Sequence, residues 1–492
     1  MDRTPISATD ALPDFGFDNS YARDLPGSYL PLAPDRVRAP RLLILNAALA
    51  RDLGLDPVRL EGVAAEVFSG NSLPPGAEPL AMAYAGHQFG NYSPQLGDGR
   101  AHLLGEVIDH AGQRRDLQLK GSGRTPFSRG GDGKAAVGPM LREYLMGEAM
   151  HALGIPTTRG LAVVATGEDV RRETALPGAV LTRVAASHLR VGTFQFFAAR
   201  GDKAALRRVA DYAIARHYPD LAGSDAPYAA FLDAVIGRQA RLIAQWMGVG
   251  FVHGVMNTDN MAISGETIDY GPCAFLEGYA PGTVFSSIDH TGRYAFANQP
   301  LILGWNLARL AEALIPLLDP DPDTAVDLAN AMLEGIAARY RTEWVAVMRA
   351  KLGLAGDDAG DGALADDLLA AMAGQGADWT LTFRRLATAT AGDASLLRPL
   401  FPDATALEAW LPRWRARLAP DAAARMRAVN PAVIARNHRV EEALTAATQG
   451  DLSPFHGLLA AITRPFDDSP AQERFTLPAP QGLAPHVTYC GT

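Results

Sequence analysis

The stretch FVHGVMNTDNMAISGETIDYGPC, Phe251 to Cys273, decides how the rest of the chain is read. It carries two acidic points, Asp259-Asn260 and Asp269, separated by a short apolar and turn segment. Met261-Ala262-Ile263 reads as a short strand, Ser264-Gly265-Glu266 as a turn and Thr267-Ile268 as a returning strand. Such a hairpin carries Asp269 back towards Asn260. One carboxylate and one carboxamide oxygen, completed by water and phosphate oxygens, suit Mg²⁺, which takes few protein ligands at nucleotide sites. Asp259 is then left to act as a base. A polar loop with two caps accounts equally well for these residues, since Asp and Asn are frequent in turns.

Upstream lie two glycine-rich stretches. Ala81 to Arg100, AMAYAGHQFGNYSPQLGDGR, ends in Gly97-Asp98-Gly99-Arg100 and feeds an expected strand, Ala101–Val107. Glycines at such a place let backbone amides approach a phosphate or sugar, although an ordinary hairpin turn has the same composition. A second expected strand, Asp116–Lys120, puts Leu117 and Leu119 on one face and Gln118 and Lys120 on the other. Lys120 opens onto GSGRTPFSRGGDGKAAVG, and loops beyond ~12 residues tend to be functional. This loop is not a Walker A sequence, because Ser128 stands where the first glycine belongs and Ala135 follows Lys134. Nor is it a dinucleotide fingerprint, because Pro126 takes the third glycine position.

Pro139 to Leu153 reads as a helix opened by proline and ended by Gly154 and Pro156, with Leu141, Tyr144, Leu145, Ala149 and Ala152 as its core stripe. Its Glu143 and Glu148 are the acidic residues within reach of Lys120. Strands follow at Leu161–Thr166 and Ala179–Val184; the second carries Arg183, and Arg190 lies in the next loop. Arginines near strand ends are usually at the surface, but two of them beside a nucleotide can clamp a phosphate. A helix is also expected at Arg41–Leu53. From Lys203 the chain turns helical, with helices expected at Tyr228–Met247, Leu301–Leu318, Thr324–Leu352, Leu364–Ala373 and Pro420–Val429. Gly356–Asp367 reads as an acidic linker whose Ala359 and Gly360 rule out a calcium loop.

Composition sets the outer limits. The chain has 492 residues, 48% hydrophobic and 20% charged, as a soluble globular protein has. A net charge of −9 without a basic tail argues against nucleic acid as the main partner. Leu301–Leu318 is interrupted by Arg309 and Glu312 and reads as an amphipathic helix, so no membrane partner is expected. The N-terminus lacks a signal-peptide layout, and two cysteines exclude a disulfide scaffold, so a cytoplasmic protein is expected. A monomer is expected.

In order, these parts are a glycine loop, a strand ending in lysine, a helix carrying glutamate, more strands, and a helical half opened by Asp-Asn and Asp-Tyr-Gly. That is the part sequence of a protein kinase, with Asp269-Tyr270-Gly271 in place of Asp-Phe-Gly. The expected fold class is α+β: a two-lobed kinase-like fold with a strand-rich N-lobe and a helical C-lobe. The expected boundaries are an N-terminal extension packed on the core over 1–80, the N-lobe over 81–200, the C-lobe over 201–355 and a helical C-terminal extension over 356–492. One part fails. Counted from His253, the catalytic aspartate should be third, and Val255 stands there. Asp259 is the nearby substitute.

The chain resembles the selenoprotein O family, kinase-like proteins that transfer AMP rather than phosphate. The resemblance rests on FDNSYARDLP at Phe17–Pro26, YAGHQFGNYSPQLGDGR, LQLKGSGRTPFSRGGDGKA, LREYLMGEAMHALGIPTTR, HGVMNTDNM with IDYGPCAFLE, and Val429-Asn430-Pro431, nearly end to end. It implies ATP bound in an inverted pose, with the α-phosphate at the reaction centre and a protein Ser, Thr or Tyr hydroxyl as acceptor. Carried over by position, Lys120 holds phosphates and pairs with Glu143. Gly97, Gly99 and Arg100 line the glycine loop, Asp132 and Gly133 meet the adenosine end, and Arg183 and Arg190 grip the far phosphates. Asp259 is the base, with Asn260 and Asp269 on Mg²⁺ or Mn²⁺; UTP is an alternative donor. The family also implies protein substrates of redox homeostasis and a regulatory disulfide between Cys273 and Cys490. On the residues alone, one small core residue and one idle tail thiol are the plainer account of the cysteines. An atypical kinase using Asp259, or a nucleotide-binding pseudokinase scaffold, are the alternatives.

Overall fold

The computed structural model describes residues 12–489. Its N-terminal part is built on an antiparallel sheet. In chain order the strands are β1 (Tyr29–Pro31), β2 (Arg41–Leu45), β3 (Leu80–Met82), β4 (Gly86–Gln88), β5 (Asn91–Ser93), β6 (Ala101–Ile108), β7 (Arg114–Lys120), β8 (Ala135–Ala136), β9 (Arg159–Arg171) and β10 (Ala175–Ala185). The main sheet runs β1-β3-β6-β7-β10-β9-β2, with β8 also on β10, while β4 and β5 form a separate hairpin. Alternation places Lys120 opposite Leu181 and Gln118 opposite Arg183, so the charged ends of β7 and β10 share one face. The other face buries Leu117, Leu161, Val164 and Val184 under Leu49, Val67 and Phe68 from the N-terminal segment.

Helix Val137–Ala152 lies across β9 and β10 and begins two residues before the expected proline. It is buried nearly all round rather than along one stripe, because helices Asn437–Thr448 and Ser453–Ile462 cover its back. The helical half packs Pro227–Val249 between Gln299–Leu318 and Ile336–Leu352. Helix Gln299–Leu318 is long and apolar enough to cross a membrane, yet it buries Ile302, Leu303, Leu307, Leu310 and Leu314 within the protein. Gly250 ends Pro227–Val249 at φ +73, where a Cβ would lie 2.7 Å from the Trp379 ring.

Several local expectations need correction. Arg41–Leu45 is a strand, not the start of a helix: pairing with β9 outweighs the helical pattern, and the helix begins only at Ala47 behind the Asn46 cap. The span Thr324–Leu352 is two helices, Pro322–Glu334 and Ile336–Leu352, split at Gly335. The acidic linker is helical from Asp361, whose buried carboxylate accepts from Arg349 and Arg417, each at 2.8 Å. Most consequentially, residues 261–268 do not form a hairpin. Ala262 bridges Arg190 and Thr267 bridges Thr157, so the segment is pinned to other parts of the chain. The strands at its ends are β11 (Phe251–Val252) and β12 (Ala274–Phe275), which pair with each other.

Candidate active site

A cavity of about 1080 Å³ lies between the sheet and the helical half. Its roof is two glycine segments stitched together. Thr125 Oγ1 donates to the Asp98 carbonyl at 2.7 Å, and Ser128 Oγ donates to the Gly99 carbonyl. The glycines are sterically required: a Cβ at Gly97 would lie 2.3 Å from the Phe127 ring, and one at Gly133 would lie 2.0 Å from the Gly123 carbonyl oxygen. The GDGR stretch is therefore a fitted loop and not a hairpin turn. Asp132, at the outer edge, accepts from Arg172 at 2.9 Å.

The inner wall is charged. Lys120 Nζ donates to Glu143 at 2.6 Å and to Asp269 Oδ1 at 2.6 Å. Arg183 joins the same two carboxylates, reaching Glu143 at 2.6 Å and also Asp269 Oδ1. Glu148, the other glutamate within reach, pairs instead with Arg159 at 2.6 Å. Burial alone would raise the pKa of Asp269, but Arg183, Lys120 and Arg190 outweigh it and hold the carboxyl well below the usual range. Glu143 is held low by Arg183 and Lys120 against the same burial. Asp269 sits at φ +64, the left-handed region, as the turn into Tyr270-Gly271 demands.

Arg183 and Arg190 are both buried, whereas arginines near strand ends are usually at the surface. Arg190 lies over the Tyr84 ring at 4.3 Å and 3.7 Å from Asp98, and its Nε has no partner. Burial pushes the Asp98 carboxyl up, and the carboxylate is held by Gln118 Nε2 at 3.0 Å.

The opposite wall is the short turn Thr258–Asn260. Asn260 Nδ2 donates to the Val255 carbonyl at 3.0 Å, which leaves Oδ1 as its free acceptor end. Asp259 Oδ1 is buried without a partner, and burial pushes this carboxyl up to about 6. His253 is structural: it is stacked on Trp246, and its Nε2 lies 2.8 Å from the Ile268 carbonyl oxygen. Its Nδ1 accepts from Val255 N, so Nε2 carries the proton. It thereby ties the Asp259 turn to the Asp-Tyr-Gly segment. Among the described residues no group of three His, Cys, Asp or Glu side chains could hold a metal. Asn260 and Asp269, both on the cavity wall, fit an ion that relies on phosphate oxygens for the rest of its shell.

The family model described as "Protein adenylyltransferase SelO" matches residues 15–463. The chain belongs to the SelO family. Among its relatives, "Protein nucleotidyltransferase YdiU" of Cereibacter sphaeroides is 69% identical over 482 residues, 97% of this chain and 100% of that protein. The proteins of the same name from a Bradyrhizobium species and from Rhizobium johnstonii are 59% and 57% identical, each over 97% of this chain and 99% and 97% of their own length. As a SelO member this chain is a kinase-like protein nucleotidyltransferase.

Every residue that the sequence marked for nucleotide or metal lines the same cavity: Gly97, Gly99, Arg100, Asp132 and Gly133 from the glycine segments, Lys120, Arg183, Arg190 and Asp269 from the inner wall, and Asn260 from the facing turn. Glu143 and Asp259 line it as well. Cys273 does not. It is fully buried behind Asp-Tyr-Gly, with burial pushing its thiol up to about 11, and Arg142 donates to its carbonyl. Cys490 lies outside the described residues. Sequence reasoning missed Tyr84, Asp98 and Gln118, which hold Arg190 and the glycine loop. It also missed Asn257, whose Oδ1 accepts from Tyr294 at 2.6 Å. Asp98 stood in view between two glycines and Gln118 on the strand face shared with Lys120; nothing local marked Tyr84 or Asn257.

Proposed function

We propose that this chain transfers AMP from ATP to the hydroxyl of a protein Ser, Thr or Tyr side chain. The observation that carries the reading is the contrast across the cavity: three buried cations on the inner wall, and on the facing turn a carboxylate with one bare oxygen. Arg183 and Arg190, buried on the inner wall, suit the far phosphates of a nucleotide that enters phosphates first. Lys120 suits the phosphate between. Asp132 and Gly133 at the edge suit the adenosine end, which leaves the α-phosphorus beside the turn.

In this pose the Asp259 carboxylate accepts the hydroxyl proton as the hydroxyl oxygen bonds to the α-phosphorus and the bond to pyrophosphate breaks. A carboxyl raised to about 6 is better matched to that task than an ordinary aspartate. Arg183 and Arg190 stabilise charge growing on the leaving pyrophosphate, and one such arginine is commonly worth roughly 10³-fold or more. Mg²⁺ or Mn²⁺ held by Asn260 and Asp269 would supply further neutralisation of the phosphate oxygens.

The test uses ATP labelled at either the α- or the γ-phosphate, with casein as acceptor. Label from the α-position in protein supports AMP transfer. Label from the γ-position alone makes the chain an atypical kinase, and label from neither makes it a nucleotide-binding scaffold; both outcomes overturn the reading.

A further inference from the structure

We propose that Gln88 is a positioning residue for Asp259, linking that carboxylate to the loop that roofs the nucleotide. The inference rests on the assignment of Asp259 as base. Hairpin β4–β5 lies directly on the turn that carries Asp259. His87 N donates to Thr258 Oγ1 at 2.7 Å, and Phe89 N donates to Asn257 Oδ1 at 3.1 Å. Between them Gln88 Nε2 donates to Asp259 Oδ2 at 3.4 Å. The fit admits no side chain at Gly86, where a Cβ would lie 2.7 Å from Asp259 Oδ1. Phe89 makes the turn at φ +50, which a non-glycine residue seldom adopts.

The other end of the Gln88 amide sets its sense. Gln88 Oε1 accepts from Arg129 Nη1 at 3.3 Å. A guanidinium has only donors and a carboxylate only acceptors, so the reversed amide would lose both bonds. Arg129 belongs to the glycine-rich loop between β7 and β8 and lines the cavity. The chain of contacts thus runs from nucleotide loop to Arg129, to Gln88, to Asp259. With Oδ1 buried beside Gly86 and Oδ2 held by Gln88, the carboxylate keeps one orientation at the cavity wall.

Two substitutions separate positioning from scaffolding. Gln88→Met removes the amide. Gln88→Glu keeps its size and gives Arg129 a better partner, but sets a carboxylate against Asp259. Steady-state transfer of α-label from ATP to casein by the full-length enzyme is the readout. Both variants are expected to lower kcat by about 10- to 100-fold, the scale of a small misplacement at a reacting group. KM for ATP and the melting temperature stay near those of the unsubstituted protein. If Gln88 only held the hairpin, Gln88→Glu would keep its kcat, and that result overturns the inference. So does a loss confined to KM. Full transfer by Asp259→Ala would sink the base assignment itself, whereas an inactive Asp259→Ala beside a fully active Gln88→Glu sinks this inference alone.

Discussion

Two buried lysines show how differently the site and the outer helical layer treat the same charge. Lys120 is 7% exposed and sits between Glu143 and Asp269. Lys351 is 4% exposed; its Nζ donates to Asn430 Oδ1 at 2.8 Å and lies 4.2 Å from the centre of the Phe383 ring. Among the described residues Lys351 forms no ion pair. Burial lowers the pKa of both. At Lys120 the neighbouring Arg183 lowers it further while Asp269 and Glu143 raise it; at Lys351 nothing opposes burial, and the value falls to about 7. The site supplies countercharge that favours the charged form of its lysine. The outer layer spends a lysine as a hydrogen-bond donor and a stem against an aromatic ring.

The strongest challenge to that contrast lies at the reacting end of the site. Asp259→Ala is expected to lower α-label transfer by ~10²–10⁴-fold, the usual worth of a general base. Circular-dichroism melting should be nearly unchanged, because no buried donor depends on the bare Oδ1. Lys120→Met comes next. It leaves buried Glu143 and partly exposed Asp269 with Arg183 as their remaining ion-pair partner, and urea unfolding should show a loss of up to ~3 kcal/mol together with loss of transfer.

Lys351→Met sharpens the other half of the comparison. In the unfolded chain this lysine holds its proton up to about pH 10.5, but in the fold only below about pH 7. The stability it contributes is therefore present above about pH 10.5 and lost as pH falls through that window. Going from pH 10 to pH 7, the variant should gain on the unsubstituted protein by ~3 kcal/mol in urea unfolding, with transfer kept. A difference that does not vary with pH would mean that Lys351 stays charged. The smallest effect belongs to the surface: Arg341 and Asp366 pair at 2.5 Å with both side chains about half exposed, and Asp366→Asn should change stability by less than ~0.5 kcal/mol.

Much of the site could be read in advance because its cues are local. Alternation in DLQLK placed Lys120 away from the core, and a helix with Glu143 in it followed within one loop. Two glycine segments and the Asp-Asn and Asp-Tyr-Gly pair completed the order of parts. Cues failed where a distant partner decided the outcome. Arg41–Leu45 became a strand because β9 offered an edge, and 261–268 lost its hairpin to Arg190 and Thr157. Arg183 and Arg190 could be read either as surface arginines or as a phosphate clamp, and only the fold shows them buried. Helices Trp379–Ala389, Thr405–Arg415, Asn437–Thr448 and Ser453–Ile462 went unread, and two of them back the helix that carries Glu143.

By itself, then, the order of residues determined the kinase-like succession of elements and the kinds of side chain available to the site, because period and turn chemistry act over a few positions. Only the tertiary structure decided which carboxylate is paired with cations and which keeps an unpartnered oxygen. That depends on contacts such as Gln88 to Asp259, 171 residues apart, and Arg183 to Asp269, 86 apart. No local pattern records such contacts, and the free energy of ionising a buried group depends on them.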